Sequence, residues 1–230
     1  MLPKPRRRRL TESKTYRIIP SRFPTIDIFE DLCEPEELEI LYALESLTND
    51  RLRAEAGELY LLPKEEWVTG PGASVVMAAF THVGLPSRFS DGSYGVYYAG
   101  LSEQTAIRET AFHQARRLKE TNEPAIDIEM RCYIGDVVEL LDDVRSSVYE
   151  ELHNPDITTW PQAQAFAATR RAEQSQGLLY NSVRDSDGKC IAVFRPKALQ
   201  IPSQGPHYIY HWNGSAIDHV RVVSDVISLQ

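Results

Sequence analysis

The run Arg88–His113, RFSDGSYGVYYAGLSEQTAIRETAFH, holds a cation, a tyrosine-rich strand and a carboxylate-bearing helix within about one supersecondary unit. Its opening residues, Arg88 to Ser93, are turn-forming, and Gly92 can take the positive φ that Asp91 and Ser93 would resist. Tyr94 to Tyr98 then alternates, with Tyr94, Val96 and Tyr98 on one face and Gly95, Tyr97 and Ala99 on the other, the period of a strand. After Gly100, Ser102 is placed to cap a helix whose first turn carries Glu103, a charge the helix dipole favours there. The helix is expected to run to about Lys119.

Working outward, Ile126, Ile128, Met130, Cys132 and Ile134 alternate with Asp127, Glu129, Arg131 and Tyr133, which predicts a half-buried strand. Val137–Leu141 reads as another strand. Thr159-Trp160-Pro161 opens a helix with proline in its first turn, continued by Gln162–Gln174 and ended by Gly177. Leu178–Val183 and Cys190–Phe194 are β-like runs joined by the hairpin turn Asp185-Ser186-Asp187-Gly188. His207–Trp212 and Ile217–Val223 form a last antiparallel pair around Asn213-Gly214. Upstream, Tyr16–Ile19 is a short strand closed by Pro20, with Arg17 between apolar neighbours. Leu38, Leu41, Ala43, Leu44 and Leu47 recur at helical spacing behind Glu34, Glu36 and Glu37, so Pro35–Leu47 reads as a scaffold helix. Ala73–Phe80 follows the Gly70-Pro71-Gly72 turn, and its alanines and Met77 favour helix. Helices interspersed among antiparallel strands, without regular βαβ alternation, predict an α+β fold.

Residues 1–15, with consecutive arginines at Arg6 to Arg9, read as a basic flexible tail, and residues 16–230 as a single domain with a helical elaboration near its start. A net charge of −8 argues against a general nucleic-acid binder, which would use excess Lys and Arg to displace counterions. Cys33, Cys132 and Cys190 lie far apart without CxxC spacing, so neither a disulfide framework nor a zinc site is indicated, and a reducing cytoplasm fits best. No stretch has the roughly 18 apolar residues of a membrane span. The histidines show no HExxH spacing, and GxGxxG, P-loop and GxSxG motifs are all missing.

On a helical wheel for Glu103–Lys119, Ile107, Ala111, Ala115 and Leu118 share one face, and Glu109, His113 and Arg116 lie opposite. By the wheel alone, Glu109 and His113 make an ordinary i,i+4 pair on a solvated face. The preceding strand can carry Tyr98 and leave a groove beside the helix, where a carboxylate, an aromatic ring and a guanidinium would suit a sugar, a planar base and a phosphate. Tyr94, Tyr97 and Tyr98 are equally explained by the strand preference of tyrosine. Arg22, Arg88, Arg184 and Arg195 are ordinary surface arginines until grouped, and Ser182 at a strand end can simply bond the backbone.

Arg88 to Ala99, followed by Glu109-Thr110-Ala111-Phe112-His113, resembles the RES-domain toxins of bacterial toxin–antitoxin modules. Tyr180-Asn181-Ser182-Val183-Arg184 is similar to that family's Tyr-x-Ser-x-Arg element, Cys190–Pro196 to the strand after it, and Tyr16–Arg22 to its first arginine motif. The likeness covers roughly Tyr16 to the C-terminus. It implies an ADP-ribosyltransferase-like fold that binds NAD as co-substrate, without a metal, and breaks the nicotinamide–ribose bond. It also implies that Glu109 acts on the developing sugar cation, Tyr98 stacks on nicotinamide, Arg88 and Arg17 hold the phosphates, and Ser182 bonds nicotinamide or ribose. The family's named arginine, glutamate and serine fall on Arg88, Glu109 and Ser182. ADP-ribose transfer to a protein, such as an enzyme of phosphoribosyl pyrophosphate synthesis, is the expected outcome, with NAD hydrolysis or phosphorolysis close behind. The resemblance further implies a cognate Xre-type helix-turn-helix antitoxin, which would make DNA binding a property of the partner. A non-catalytic binding module, with Glu109, Tyr98 and Arg88 as a mere polar surface, is the rival of a different class.

Overall fold

The computed structural model describes residues 2–10, 14–21 and 61–223. The expected helix over Pro35–Leu47, Arg22 and Cys33 lie outside the described residues. Among the described residues the strands are β1 (Arg6–Arg8), β2 (Thr15–Pro20), β3 (Tyr97–Gly100), β4 (Ile126–Gly135), β5 (Leu141–Asp143), β6 (Gly177–Asn181), β7 (Lys189–Val193), β8 (Ser203–Trp212) and β9 (Ile217–Val223). The α-helices are α1 (Ala73–Thr81), α2 (Glu103–Glu120) and α3 (Trp160–Ala172). The strands form one sheet in the order β1-β5-β6-β7-β3-β2-β4-β8-β9. All neighbours are antiparallel except β5 and β6. The chain is therefore α+β, as its pattern predicts.

The alternation in Tyr94–Ala99 divides the core. Tyr97 and Ala99 pack with α1 and with Leu179, Ile191 and Val193, whereas Val96 and Tyr98 join Ala163 and Ala167 of α3 with Leu178, Cys190 and Ala192. Successive residues of β7 thus serve opposite faces, the period-two consequence of the pleat. A third cluster sets Ile18, Met130, Cys132, Tyr208 and Tyr210 against Ala106 of α2. Helix α1 is buried nearly all round, which explains why its apolar run has no polar stripe.

Helix α2 begins where the sequence places it, with the Ser102 side chain accepting from the Thr105 amide at 3.1 Å. Gly92 takes a φ of 101°. Gly100 allows α2 to approach β3, since a Cβ there would sit 2.7 Å from the Ala106 nitrogen and 3.0 Å from the Ser102 carbonyl. Gly100→Ala is expected to destabilise the fold by roughly 1–3 kcal/mol, the scale of overpacking a close contact. A lowered urea midpoint would be the readout, and an unchanged midpoint would mean that the helix shifts freely.

Two expectations are corrected. Arg6–Arg8 is not a flexible tail but an edge strand, pairing Arg6 with Asp143, Arg7 with Asp142 and Arg8 with Leu141. The physical reason is charge: Arg8 Nε lies 3.2 Å from Asp143 Oδ2, so acidic β5 draws the basic segment into the ladder. The strand expected at Val137–Leu141 falls later, at Leu141–Asp143, and Val137 makes only an isolated bridge to Leu199. Aspartates normally mark turns. Here Asp142 is matched by Arg170 and Asp143 by Arg145, at 2.8 Å and 2.7 Å, which lets both remain in a strand.

Candidate active site

Strands β2 and β3 are partners at a single position, Tyr16 with Gly100. Beyond that pair they separate, and the sheet opens at its centre. Helices α2 and α3 flank the opening, leaving a cleft of ≈ 240 Å³ whose walls include Arg88, Tyr98, Glu109, Tyr180 and Arg184. Arg17 and Ile18 contribute from β2, His113 from α2 and Trp160 from α3.

Glu109 projects from the second turn of α2, and Ser182 Oγ donates to its Oε1 at 2.5 Å. The same hydroxyl accepts from the backbone N–H groups of Arg184, at 3.1 Å, and Asp185, at 3.0 Å. A hydroxyl carries one proton and two lone pairs. With both acceptor positions taken, the proton of Ser182 is directed at the carboxylate. Ser182 is 7% exposed, so it bonds the acid rather than standing free at the surface of the cleft. Its neighbour Asn181 donates to the Arg145 carbonyl at 2.8 Å, which secures the end of β6.

Tyr98 fixes the position of Arg88. Its hydroxyl accepts from the Phe89 amide at 3.0 Å and lies 2.9 Å from Ser87 Oγ, so the residues on both sides of Arg88 are tied to β3. Gln164 of α3 holds the same loop from outside, donating to the Ser87 and Ser90 carbonyls. Arg88 is itself buried, and its Nη1 donates to the carbonyls of Leu152 and Asn154 at 3.0 and 2.9 Å. Burial pushes the Tyr98 phenol up to about 12, so it stays neutral near pH 7.

Arg17 forms the floor of the opening. Its Nη1 donates to the Tyr98 carbonyl at 3.2 Å, its guanidinium lies 4.6 Å from the Tyr97 ring centroid, and its buried Nε has no partner. Arg184 faces Phe112 with its guanidinium carbon 3.4 Å from the ring centroid, and donates from Nη2 to the Pro155 carbonyl at 2.8 Å. Burial holds both arginines below the usual guanidinium range, the charged form being disfavoured away from water. Glu109 is the one carboxylate among the described residues that line the cleft, set against three guanidinium groups. That balance suits an anionic ligand.

Two imidazoles belong to this surrounding. Burial, reinforced by Arg116, Arg184 and Arg88, pushes His113 down to about 4. Burial and Arg88 do the same to His153, which stacks on Tyr180 with a centroid distance of 6.4 Å. Both are neutral in the native protein, whereas in the unfolded chain they return to about 6.5. The unfolded state therefore binds more protons between those values, and stability is expected to fall as pH drops from about 6.5 to about 4. Urea midpoints measured across that window would show it. His153→Gln should remove about half of the slope, and an unchanged slope would mean that His153 does not titrate on unfolding.

The structure brings Arg17, Arg88, Tyr98 and Glu109 to one cleft and places Ser182 behind Glu109. It does not bring Arg195 there, since that residue pairs with Glu66 at 2.7 Å. Arg184 and Trp160 line the cleft although sequence reasoning did not single them out as site residues. The Tyr-x-Ser-x-Arg pattern was a usable signal for Arg184, and Trp160 gave none beyond helix initiation. His113 faces the cleft rather than a solvated helix surface. Among the described residues there is no group of three or more His, Cys, Asp and Glu that could hold a metal ion, and no helix long and apolar enough to cross a membrane.

A family model described as RES domain matches residues 59–213. The chain is 28% identical over 215 residues to an uncharacterized protein, y4oC, of Sinorhizobium fredii, covering 91% of this chain and 87% of that one. A solved structure described as the M. tuberculosis MbcT–MbcA toxin–antitoxin complex aligns over 88% of this chain and 85% of that chain, with a TM-score of 0.40 and 12% identity.

Proposed function

The chain belongs to the RES domain family, and on that premise we propose that it is the toxin of a bacterial toxin–antitoxin pair that cleaves the nicotinamide–ribose bond of NAD. The observation that carries the reading is Glu109, oriented by Ser182 and the single carboxylate among the described residues of a cleft whose other described charged groups are guanidiniums. The bond breaks with its electron pair moving to the nicotinamide nitrogen, which leaves neutral nicotinamide and positive character at the ribose. Glu109 stabilises that charge, as carboxylates do at oxocarbenium-like centres. Arg88 and Arg184 pair with the pyrophosphate through donors not engaged with backbone carbonyls, and the unpartnered Nε of Arg17 supplies a further donor. The Tyr98 ring packs against the departing base, its hydroxyl already holding the Arg88 loop.

The ADP-ribosyl group passes to a nucleophilic side chain of a protein, which forms the new bond to the ribose and loses a proton. An enzyme of nucleotide metabolism is the target class that the family likeness favours. An antitoxin with a helix-turn-helix blocks the cleft in the resting pair. Incubation with NAD labelled in its adenylate half, in the presence of cell lysate, is expected to put label on protein. Label recovered only as free ADP-ribose or its phosphate would replace transfer by hydrolysis or phosphorolysis. No nicotinamide release at all would refute the enzyme reading and favour a binding module.

A further inference from the structure

We propose that Asp185, in the turn between β6 and β7, is a positioning residue that sets the place of the Glu109 carboxylate by clamping this turn to helix α2. The inference rests on the reading of the cleft as an NAD-cleavage site. Asp185 does not line the cleft, yet its carboxylate bridges two side chains of α2. Its Oδ2 accepts from Thr105 Oγ1 at 2.8 Å and its Oδ1 from Arg108 Nη1 at 2.9 Å. Thr105 is buried, and its hydroxyl also lies 2.7 Å from that of Ser102, the residue capping the helix. Thr105, Arg108 and Glu109 fall within about one and a quarter helical turns at 3.6 residues per turn, so the clamp grips α2 where the candidate acid leaves it.

The ring closes from the other side. The Asp185 amide is one of the two N–H groups that fill the lone pairs of Ser182 Oγ, whose proton goes to Glu109. The turn is stiff: Ser182 N donates to the Gly188 carbonyl and Gly188 N to the Asp185 carbonyl, both at 2.9 Å. A Cβ added at Gly188 would meet Asp185 Cβ and Thr105 Cγ2 at 2.8 Å, so turn and helix are in direct contact. Side chain and backbone of Asp185 thus control the two ends of one path from α2, through the turn, to the Glu109–Ser182 bond. An aspartate suits the position because its two oxygens only accept, and both partners donate. Asparagine would offer one oxygen and turn an amide group toward a second donor.

Asp185→Ala and Asp185→Asn are expected to lower kcat for nicotinamide release by about tenfold to a hundredfold, the scale of misplacing a reacting group by about 1 Å, with KM little changed. Ser182→Ala combined with Asp185→Ala should be no slower than Ser182→Ala alone, because both act through Glu109. Losses that simply add, or an unchanged kcat in Asp185→Ala, would overturn the proposal. If Asp185→Ala does not fold, Arg108→Ala removes one arm of the clamp at an exposed residue, and a kcat equal to that of the parent would count against it. Amide hydrogen exchange supplies an arm independent of catalysis. Asp185→Ala should speed exchange at the Arg184 and Asp185 amides, and unchanged protection would mean that no clamp exists. A parent protein that releases no nicotinamide would refute the cleavage reading, with exchange still deciding whether Asp185 holds the turn.

Discussion

Glu109→Gln is expected to reduce nicotinamide release by roughly 10²–10³-fold, the scale of deleting one preorganised charge-stabilising group. The amide keeps the shape of the carboxylate and an oxygen to accept from Ser182, so the fold should remain while the negative charge is lost. Single-turnover measurement at saturating NAD isolates the chemical step, and expression of the variant should no longer arrest growth. Undiminished release or undiminished growth arrest would remove Glu109 from the chemistry and return the cleft to a binding role. The prediction is sharp because no other carboxylate among the described residues lines the cleft, so a second acid has no evident place from which to substitute.

The largest effect on stability is expected at Asp142, far from this chemistry. Its side chain is 1% exposed, and its Oδ2 accepts from Arg170 Nε and Ser175 Oγ, both at 2.8 Å. Asp142→Ala leaves Arg170, itself 3% exposed, with Glu173 as its remaining ionic partner at 2.6 Å. Removing one member of a buried pair costs about 3–5 kcal/mol, and the surviving Glu173 contact places this case near the lower end. A fall in Tm of about 6–12 °C follows for a chain of this size. Replacing both members, as Asp142→Leu with Arg170→Met, should recover most of that loss, since an apolar pair of similar volume carries no desolvation penalty. A double variant less stable than Asp142→Ala would contradict this account. Because the pair lies beside β6 and away from the cleft, NAD cleavage per folded molecule should not change.

Local rules account for the parts of this protein that were legible beforehand. Ser102 caps α2 because a hydroxyl beside a free helix N–H needs no distant partner, and Asp185 to Gly188 turns the hairpin by its own residue chemistry. Period-two alternation in Tyr94–Ala99 separates the two cores correctly. The failures are long-range. Arg6–Arg8 has the composition of a tail and becomes a strand only because Asp142 and Asp143 lie opposite it. Trp160, Tyr180 and Arg184 reach the cleft from segments 50 to 75 residues beyond Glu109. The Tyr-x-Ser-x-Arg spacing ties Tyr180 to Arg184, but no period or spacing encodes that they meet Glu109 and Trp160.

By itself the sequence determined the α+β class, the strand at Tyr97 and Tyr98, the capped helix after it and the family likeness carried by Arg88, Glu109 and Ser182, whereas the expected strand residues Tyr94 to Val96 lie outside β3. These depend on backbone period, capping and turn chemistry, which act over a few residues. Only the tertiary structure decided that β2 and β3 part after Tyr16 and Gly100, that among the described residues three guanidiniums and one carboxylate line the cleft there, and that Asp185 ties the hairpin turn to α2. Those features depend on which distant groups are desolvated together, and that is set when the sheet and its helices pack.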